Sequence, residues 1–293
     1  MSLAQIDNVG FYEKGFPFVF PAGEVQVRMV KTHAKSVEIN LVLKGSDDVI
    51  SLLLTVDALR RDGVEGICLT LPYVPYSRQD RVMVSGEALS IKVFADLLNY
   101  CKFDSVEIWD PHSDVTSALI NNVKVISQAE CVIGHQHLLF KLHEGQPSST
   151  ILVCPDAGAR KKIHSVARLT GIHNILYADK NRDPGTGKIS GTSLNWDSIP
   201  SWTEEQSLGK EPIRFFICDD ICEGGYTFVE LAKEIKLQTG DALKYEIYLY
   251  VTHGFFSKGL EELNKHFEGV YVANLMSTDP AVVNSPLIIT NKE

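Results

Sequence analysis

The chain has 293 residues, of which 44% are hydrophobic and 22% charged, proportions typical of a globular protein with one large domain or two. A formal net charge of −9 argues against nucleic acid as the main partner. No apolar stretch has membrane-spanning length and the first residues do not resemble a signal peptide, so the cytoplasm is the expected location. The six cysteines lie mostly in apolar runs, which favours buried free thiols over disulfides or zinc sites.

Strand-like runs and helical patterns alternate along the chain. The predicted strands of the first half are 24–29, 36–43, 66–71 and 106–109. Helices are predicted at 47–62, capped by Asp47 or Asp48, and near 89–101.

The second half follows the same plan. Strands are predicted at 150–154, 173–178, 213–218, 245–251 and 269–274, and helices from Arg160 onward and over 227–238. We therefore expect βαβ units on mainly parallel sheets flanked by helices, in two domains, 1–128 and 129–293. Residues 183–210, rich in Gly, Ser, Thr, Pro and Trp, are predicted to form a loop that acts as an active-site flap.

Residues 214–228 are the most informative segment. An apolar run of strand length ends in Asp219 and Asp220, and the glycine turn of Gly224 and Gly225 leads into a helix. Backbone N–H groups at such a turn can hold a phosphate, while the carboxylates take vicinal hydroxyls. A helix start with Asp and Gly is common in α/β proteins, so this turn alone leaves a ribose-phosphate site and a plain structural turn equally open.

Four further polar segments each follow a predicted strand. They are 73–81 with two arginines and a glutamine, 109–114 around His112, 154–162 around Asp156, and 179–182 with Lys180 and Arg182. Arginine forks suit a polyphosphate, and two closely spaced cations can neutralise a transferring phosphoryl group. Taken singly, each is explained as well by a solvated loop or helix face. Gly187 and Lys188 lack the full spacing of a P-loop.

Together and in this order, these motifs resemble the ribose-phosphate pyrophosphokinase (phosphoribosyl diphosphate synthetase) family over about residues 18–275. The resemblance implies two type I phosphoribosyltransferase-like domains, with the ATP side in the first and the ribose-phosphate loop and flap in the second. It implies transfer of the β,γ-diphosphate of ATP, with Mg²⁺, to the anomeric hydroxyl of a ribose phosphate, releasing AMP. It also implies a homo-oligomer, at least a dimer, with small-molecule substrates and neither a nucleic-acid nor a membrane partner.

The resemblance also assigns roles to residues by matched position. The ATP-binding residues would be Phe20, Glu24, Arg78, Gln79 and Asp80, with Phe20 and Glu24 facing the adenine. Lys180, Arg182 and His112 would be catalytic, and His112 and Asp156 would lie at the metal. The ribose phosphate would be bound by Asp156, Asp219, Asp220, Glu223, Gly224, Gly225, Tyr226 and Thr227.

The phosphate loop departs from the usual pattern of the family. Gly224 replaces a threonine that contacts phosphate, and Tyr226 replaces a glycine. The loss of a hydroxyl and the gain of an aromatic ring slightly favour ADP-ribose over ribose 5-phosphate as the acceptor. Ala22 also replaces an acidic residue in the adenine-facing motif.

Two other functions remain open on the sequence. The fold also serves phosphoribosyltransferases that consume the activated sugar, although Lys180, Arg182 and the Arg78 loop argue against that reaction. A non-catalytic regulatory protein associated with the synthetase is the third reading, which the retention of His112 and of both Asp219 and Asp220 disfavours.

Overall fold

The computed structural model describes residues 3–7, 17–29, 33–145, 149–182, 189–198, 212–240 and 244–291. The chain divides into two compact units, Met1–Ile126 and Ser127–Glu293. The predicted boundary after Gln128 falls at the first residue of a helix of the second unit. No helix in the described ranges is both long and apolar enough to cross a membrane.

The first unit is a parallel sheet with helices and a separate hairpin. Its strands are Leu3–Asp7 (β1), Pro17–Val19 (β2), Val25–Val27 (β3), Ser36–Asn40 (β4), Gly66–Leu71 (β5), Ser105–Trp109 (β6) and Val123–Ile126 (β7). Its helices are Ser46–Arg61 (α1), Ser90–Tyr100 (α2) and Asp114–Leu119 (α3). The sheet order is β1-β4-β5-β6-β7 with every pairing parallel, while β2 and β3 form an antiparallel pair.

Buried aliphatic side chains build the core of this unit. In β5, Ile67, Leu69 and Leu71 are at most 1% exposed, and they belong to one cluster with Leu52 of α1 and Phe94 of α2. Such a sheet brings the carboxyl ends of β5 and β6 to one edge.

The start of α1 differs from the prediction. Gly45, and not Asp47 or Asp48, is the N-cap residue. The Asp48 carboxylate instead reaches back to accept hydrogen bonds from the backbone N–H groups of Lys44 (2.6 Å) and Gly45 (3.2 Å). A carboxylate in the first turn satisfies amides that the helix leaves unpaired. Asp48 therefore helps to cap the helix from the third position after the N-cap.

The second unit contains a larger sheet. Its strands are Thr150–Cys154 (β8), Ile175–Arg182 (β9), Ile189–Asn195 (β10), Ile213–Cys222 (β11), Tyr245–Gly254 (β12), Gly269–Leu275 (β13) and Ile288–Thr290 (β14). Its helices are Gln128–Gly134 (α4), Gln136–Leu142 (α5), Arg160–Thr170 (α6), Tyr226–Thr239 (α7), Glu261–Asn264 (α8) and Pro280–Val283 (α9). The strand order is β10-β9-β8-β11-β12-β13-β14, and only the β9–β10 pairing in this sheet is antiparallel.

A dense aliphatic and aromatic core fixes this sheet. Phe215 and Ile217 of β11 and Leu249 of β12 are fully buried, and they pack with Leu231 and Ile235 of α7. The expected α/β class, with mainly parallel sheets flanked by helices, is therefore confirmed.

The prediction of a loop over 183–210 is wrong for its middle part. Residues 189–195 form β10, which pairs with β9 so that Thr192 lies opposite Lys180, and Trp196–Ser198 form a 3₁₀ turn. The polar, glycine-containing sequence of β10 lacks the apolar run of an inner strand, as an edge strand allows, so the strand was not predicted. Residues 183–188, with Gly187 and Lys188, and 199–210 lie outside the described residues.

Candidate functional site

In the first unit, two of the predicted polar loops meet through Asp80. Asp80 lies in the loop after β5, is only 8% exposed, and accepts a hydrogen bond from Arg81 Nε (3.1 Å). Burial alone would raise the pKa of Asp80, but its pKa lies below the usual value because the positive charges of Arg81 and His112 stabilise the charged carboxylate. The loops after β5 and β6 are thus joined by a buried negative charge beside His112.

The side chains at the surface of this edge are those expected to bind an anion. Arg78, Gln79 and His112 are exposed, whereas Asp80 lies beneath them. Tyr76 has φ +64° and Asp110 φ +38°, left-handed values that are unusual for residues other than glycine and that recur at functional sites. The Tyr76 ring packs on Phe94 at 5.8 Å between ring centroids, which holds the turn in place.

Phe20 and Glu24 are brought together by the turn between β2 and β3. The Phe20 N–H donates to the Glu24 carbonyl (2.8 Å), and the Gly23 N–H donates to the Phe20 carbonyl (2.8 Å). Gly23 has φ +92°, a value that this turn needs and that glycine adopts without strain. Phe20 is 47% exposed, so its ring is available to a planar ligand.

In the second unit, carboxylates gather where the strand order reverses. From β8 the chain continues to β9 on one side and later returns to β11 on the other, and open α/β sheets bind ligands at such a switch point. Asp156 directly follows β8, and Asp219 and Asp220 lie in the last part of β11, not after the strand as predicted. One oxygen of Asp156 accepts hydrogen bonds from the N–H groups of Gly158 (2.9 Å) and Ala159 (3.2 Å).

A lysine that the sequence reasoning missed holds one of these carboxylates. Lys162 Nζ of α6 lies 3.0 Å from Asp220 Oδ2, and the two side chains are 21% and 9% exposed. From the sequence alone, the basic run after Asp156 can be part of a functional site or an exposed helix face. The position of Lys162 on the inner side of α6 could have been found from its spacing to the buried Ile163 and Val166.

The half-buried Asp219 is the carboxyl of the cluster whose charged form is least stabilised. Burial, followed by the charges of Asp220 and Asp156, raises its pKa well above the usual value, although the Asp220 N–H donates to it (2.9 Å). Hydroxyl donors from a sugar, or a cation, would relieve this charge. The chemistry of the cluster therefore fits the predicted ribose hydroxyls.

The turn between β11 and α7 forms a row of backbone donors. Within the described residues, the N–H groups of Gly224, Gly225, Tyr226 and Thr227 have no hydrogen-bond acceptor. Gly225 has φ +79°, and a Cβ there would come within 3.3 Å of Leu263. Consecutive unpaired N–H groups at the start of a helix make an anion-binding concavity, which is the feature predicted for residues 223–227.

The two residues of this loop that depart from the family pattern, Gly224 and Tyr226, are exposed to solvent. Tyr226 is 75% exposed, and Gly224 is also exposed. Glu223 is exposed as well, and its backbone carbonyl accepts a hydrogen bond from the Ser257 N–H (2.8 Å) in the loop after β12. The phosphate loop is therefore fastened to its neighbour by backbone contacts.

The segment with Lys180 and Arg182 lies in β9, and not after a strand as predicted. Its backbone pairs with β10, with Arg182 opposite Ile189. Their side chains lie outside the described residues. Just before them, Asp179 forms an ion pair with Arg160 of α6 (3.0 Å).

The carboxylates of the second unit could supply some of the ligands of a divalent cation, but not a complete set. No group of three or more His, Cys, Asp or Glu side chains in the described ranges could hold a metal ion. Mg²⁺ often binds through one or two carboxylates together with substrate phosphates. The negative charge of Asp219 and Asp156 fits that mode, while the other predicted metal residue, His112, belongs to the first unit.

Comparison with known sequences gives one consistent family. Residues 19–101 match the N-terminal domain of ribose phosphate pyrophosphokinase. A ribose-phosphate pyrophosphokinase of Pyrococcus furiosus is 29% identical over 265 residues, which cover 88% of this chain and 85% of the relative. A putative ribose-phosphate pyrophosphokinase 2 of Streptococcus agalactiae is 26% identical, with 89% and 74% covered.

A solved structure has the same fold over almost the whole chain. The phosphoribosylpyrophosphate synthetase of Mycobacterium smegmatis superposes with a TM-score of 0.73 and 17% identity, covering 99% of this chain and 94% of that one. The observed sheets and this superposition show two phosphoribosyltransferase-like domains.

Proposed function

The chain belongs to the ribose-phosphate pyrophosphokinase family, and we propose that it transfers the β,γ-diphosphate of ATP to the anomeric hydroxyl of a 5′-phosphorylated ribose. One observation carries the proposal. In the second unit, Asp156, Asp219 and Asp220 lie near the switch point of the sheet, and the N–H groups of the following turn, 224–227, find no acceptor among the described residues. Carboxylates for sugar hydroxyls next to amides for a phosphate are what a ribose phosphate requires.

We assign ATP to the first unit. Arg78 and Gln79 are exposed at the end of β5, where a guanidinium can bind phosphate oxygens with two N–H groups. Asp80 is buried beneath them, so we propose that it orients Arg81 and the His112 loop. Phe20 and Glu24 would contact the base, and the exposure of Phe20 agrees with a homo-oligomer in which that base lies in a neighbouring subunit.

The reaction needs alignment and charge neutralisation more than a covalent intermediate. The anomeric oxygen forms a bond to the β-phosphorus, the bond from that phosphorus to the bridging oxygen breaks, AMP leaves, and the hydroxyl proton is released. Lys180 and Arg182 would neutralise the charge of the transferring group. Burial raises the pKa of both Cys154 and Cys222 to about 12, so neither thiol is an effective nucleophile at neutral pH.

Mg²⁺, when bound with ATP, would neutralise phosphate charge and polarise the phosphorus that is attacked. In this chain the groups able to meet it are Asp156 and Asp219, whose negative charge is incompletely balanced by Lys162. We propose that Asp156 contributes to that site and that His112 contacts the triphosphate.

Two acceptors fit the ribose site, ribose 5-phosphate and ADP-ribose. Both have a free anomeric hydroxyl and a phosphate on the 5′ oxygen. We favour ADP-ribose slightly, because Gly224 removes a hydroxyl from the loop and Tyr226 presents an exposed ring beside it. A role in nucleotide or NAD metabolism would follow from either acceptor.

The experiment is a product assay. Purified protein with ATP, Mg²⁺ and either sugar should release AMP in an amount equal to the diphosphorylated sugar. Lys180→Ala should lower kcat by about a thousandfold, since cations on a transferring phosphoryl group contribute that much. The exposed Lys233, paired with Glu230 on α7, provides a control whose alanine variant should keep full activity.

Other products would contradict the proposal in distinct ways. ADP in place of AMP would mean transfer of a single phosphoryl group. Diphosphate release from an activated sugar and a free base, without ATP, would identify a phosphoribosyltransferase. No turnover with either sugar, or full turnover by Lys180→Ala, would refute the assigned chemistry.

A further inference from the structure

The loop after β12, residues 254–259, lies alongside the phosphate loop. The Phe255 N–H donates to the Cys222 carbonyl (2.8 Å), and the Ser257 N–H and hydroxyl both contact the Glu223 carbonyl (2.8 and 3.3 Å). These bonds place the next residue, Lys258, beside the unpaired amides of 224–227. The sequence motifs did not include this lysine.

The Lys258 side chain lies directly against Gly224. A Cβ placed on Gly224 would come within 3.3 Å of Lys258 Cγ, which is tighter than ordinary van der Waals packing. Any side chain at position 224 would therefore displace the lysine stem. The space next to Gly224 is therefore not empty, because the Lys258 side chain occupies it.

Lys258 also differs from other exposed lysines of this unit. Lys233 lies 2.9 Å from Glu230 and Lys265 lies 2.6 Å from Glu262, whereas Lys258 has no ion pair with any residue in the described ranges. Its charge is thus available at the rim of a loop whose amides already suit one phosphate.

Given the proposed reaction, we infer that Lys258 determines acceptor specificity by binding the second phosphate of a 5′-diphosphate substituent. The four amides satisfy the phosphate attached to the ribose, so a cation at the rim acts on charge farther from the sugar. A 5′-phosphate monoester has no such outer phosphate. ADP-ribose has one, and its remaining nucleoside would extend toward the exposed Tyr226.

The test compares the two acceptors at saturating ATP. Lys258→Ala should raise the KM for ADP-ribose about tenfold, the loss expected for one charge-assisted hydrogen bond, and change the KM for ribose 5-phosphate by less than about twofold. Lys258→Arg should keep most of the affinity. Lys265→Ala removes the same charge from an exposed paired lysine and should change neither KM.

A second variant tests the contact between Gly224 and Lys258 by changing the glycine. Gly224→Thr should push the Lys258 stem aside and lower the preference for ADP-ribose by a similar factor, while thermal unfolding shows whether the variant is folded. An equal loss for both sugars in Lys258→Ala, no loss for either, or AMP release by the wild type with ribose 5-phosphate alone would overturn the inference.

Calorimetric binding of ADP-ribose separates this inference from the proposed reaction. If Lys258→Ala weakens ADP-ribose binding and Lys265→Ala does not, Lys258 binds the ligand even where no AMP is formed. If neither variant changes the binding, the contact is absent whatever the reaction.

Discussion

The candidate sites of the two units lie at the same edge of the same kind of sheet but differ in the charge of their residues. At the ends of β5 and β6, the first unit exposes Arg78 and His112 and buries a single carboxylate, Asp80. At the ends of β8 and β11, the second unit brings together three carboxylates, of which Asp220 pairs with the partly buried Lys162. A parallel sheet favours a ligand site at this edge, and we propose that the residues at the strand ends determine whether a polyphosphate or a sugar binds there.

The largest effect that this comparison predicts is at Lys162. In Lys162→Ala the buried Asp220 carboxylate loses its ion pair with Lys162, which should lower the free energy of unfolding by about 3 kcal/mol, as for other broken buried pairs. Chemical denaturation would measure the loss, and Lys162→Arg should restore most of it. The KM for the sugar should rise while the KM for ATP stays unchanged; equal effects on both substrates would mean that the two edges are not functionally distinct.

A smaller effect is expected at Arg78. Arg78→Ala should raise the KM for ATP about tenfold by removing charge-assisted hydrogen bonds, without changing stability or the KM for the sugar. Arg61 is the matched control, since it is an exposed arginine of the same unit paired with Asp57 (2.7 Å). An increase in the KM for the sugar alone would reverse the assignment of ligands to the two units.

The smallest effect concerns the pH dependence of the second unit. His135 is buried, its Nε2 lies 3.1 Å from the Ile289 carbonyl, and its Nδ1 accepts the Leu138 N–H. Burial lowers the pKa of His135 below 6.5, so its neutral form belongs to the folded state. Its contribution to stability is complete above the unfolded pKa of 6.5 and is lost as the pH falls below that value.

Thermal unfolding between pH 7.5 and pH 5 would measure this contribution. The Tm of the wild type should fall more steeply than that of His135→Gln, and the exposed His173 of the same unit provides the control, since His173→Gln should follow the wild type. Parallel curves for all three proteins would show that His135 does not confer acid sensitivity on this unit.

Much of the fold could be predicted because buried parallel strands are continuous apolar runs. β5 and β8 were predicted to the residue, and both lie inside their sheets. The edge strand β10 was missed because it has few apolar side chains, and β7 was missed because it is short and half-exposed.

The site could be predicted only as far as residue types and order allow. Asp156, Asp219 and the glycine turn could be singled out, since strand ends with acidic and glycine residues have a recognisable pattern, and their roles stay predictions. Lys162 and Lys258 were not singled out, since their contacts are with residues distant in sequence, Asp220 and Gly224. Helical spacing can place Lys162 on the inner side of its helix, but which residue each lysine contacts depends on tertiary packing.

The left-handed residues Tyr76 and Asp110 have a consequence for the thermodynamics of ligand binding. Each holds its loop in a conformation that costs roughly 1–2 kcal/mol for a residue other than glycine. The packing of Tyr76 on Phe94 and the hydrogen bond from the Asp110 N–H to the Ile126 carbonyl (2.7 Å) stabilise these conformations in the folded protein. The entropy of ordering the two loops is therefore lost during folding, and a ligand that bound there would meet a rigid surface and lose less of its own binding energy.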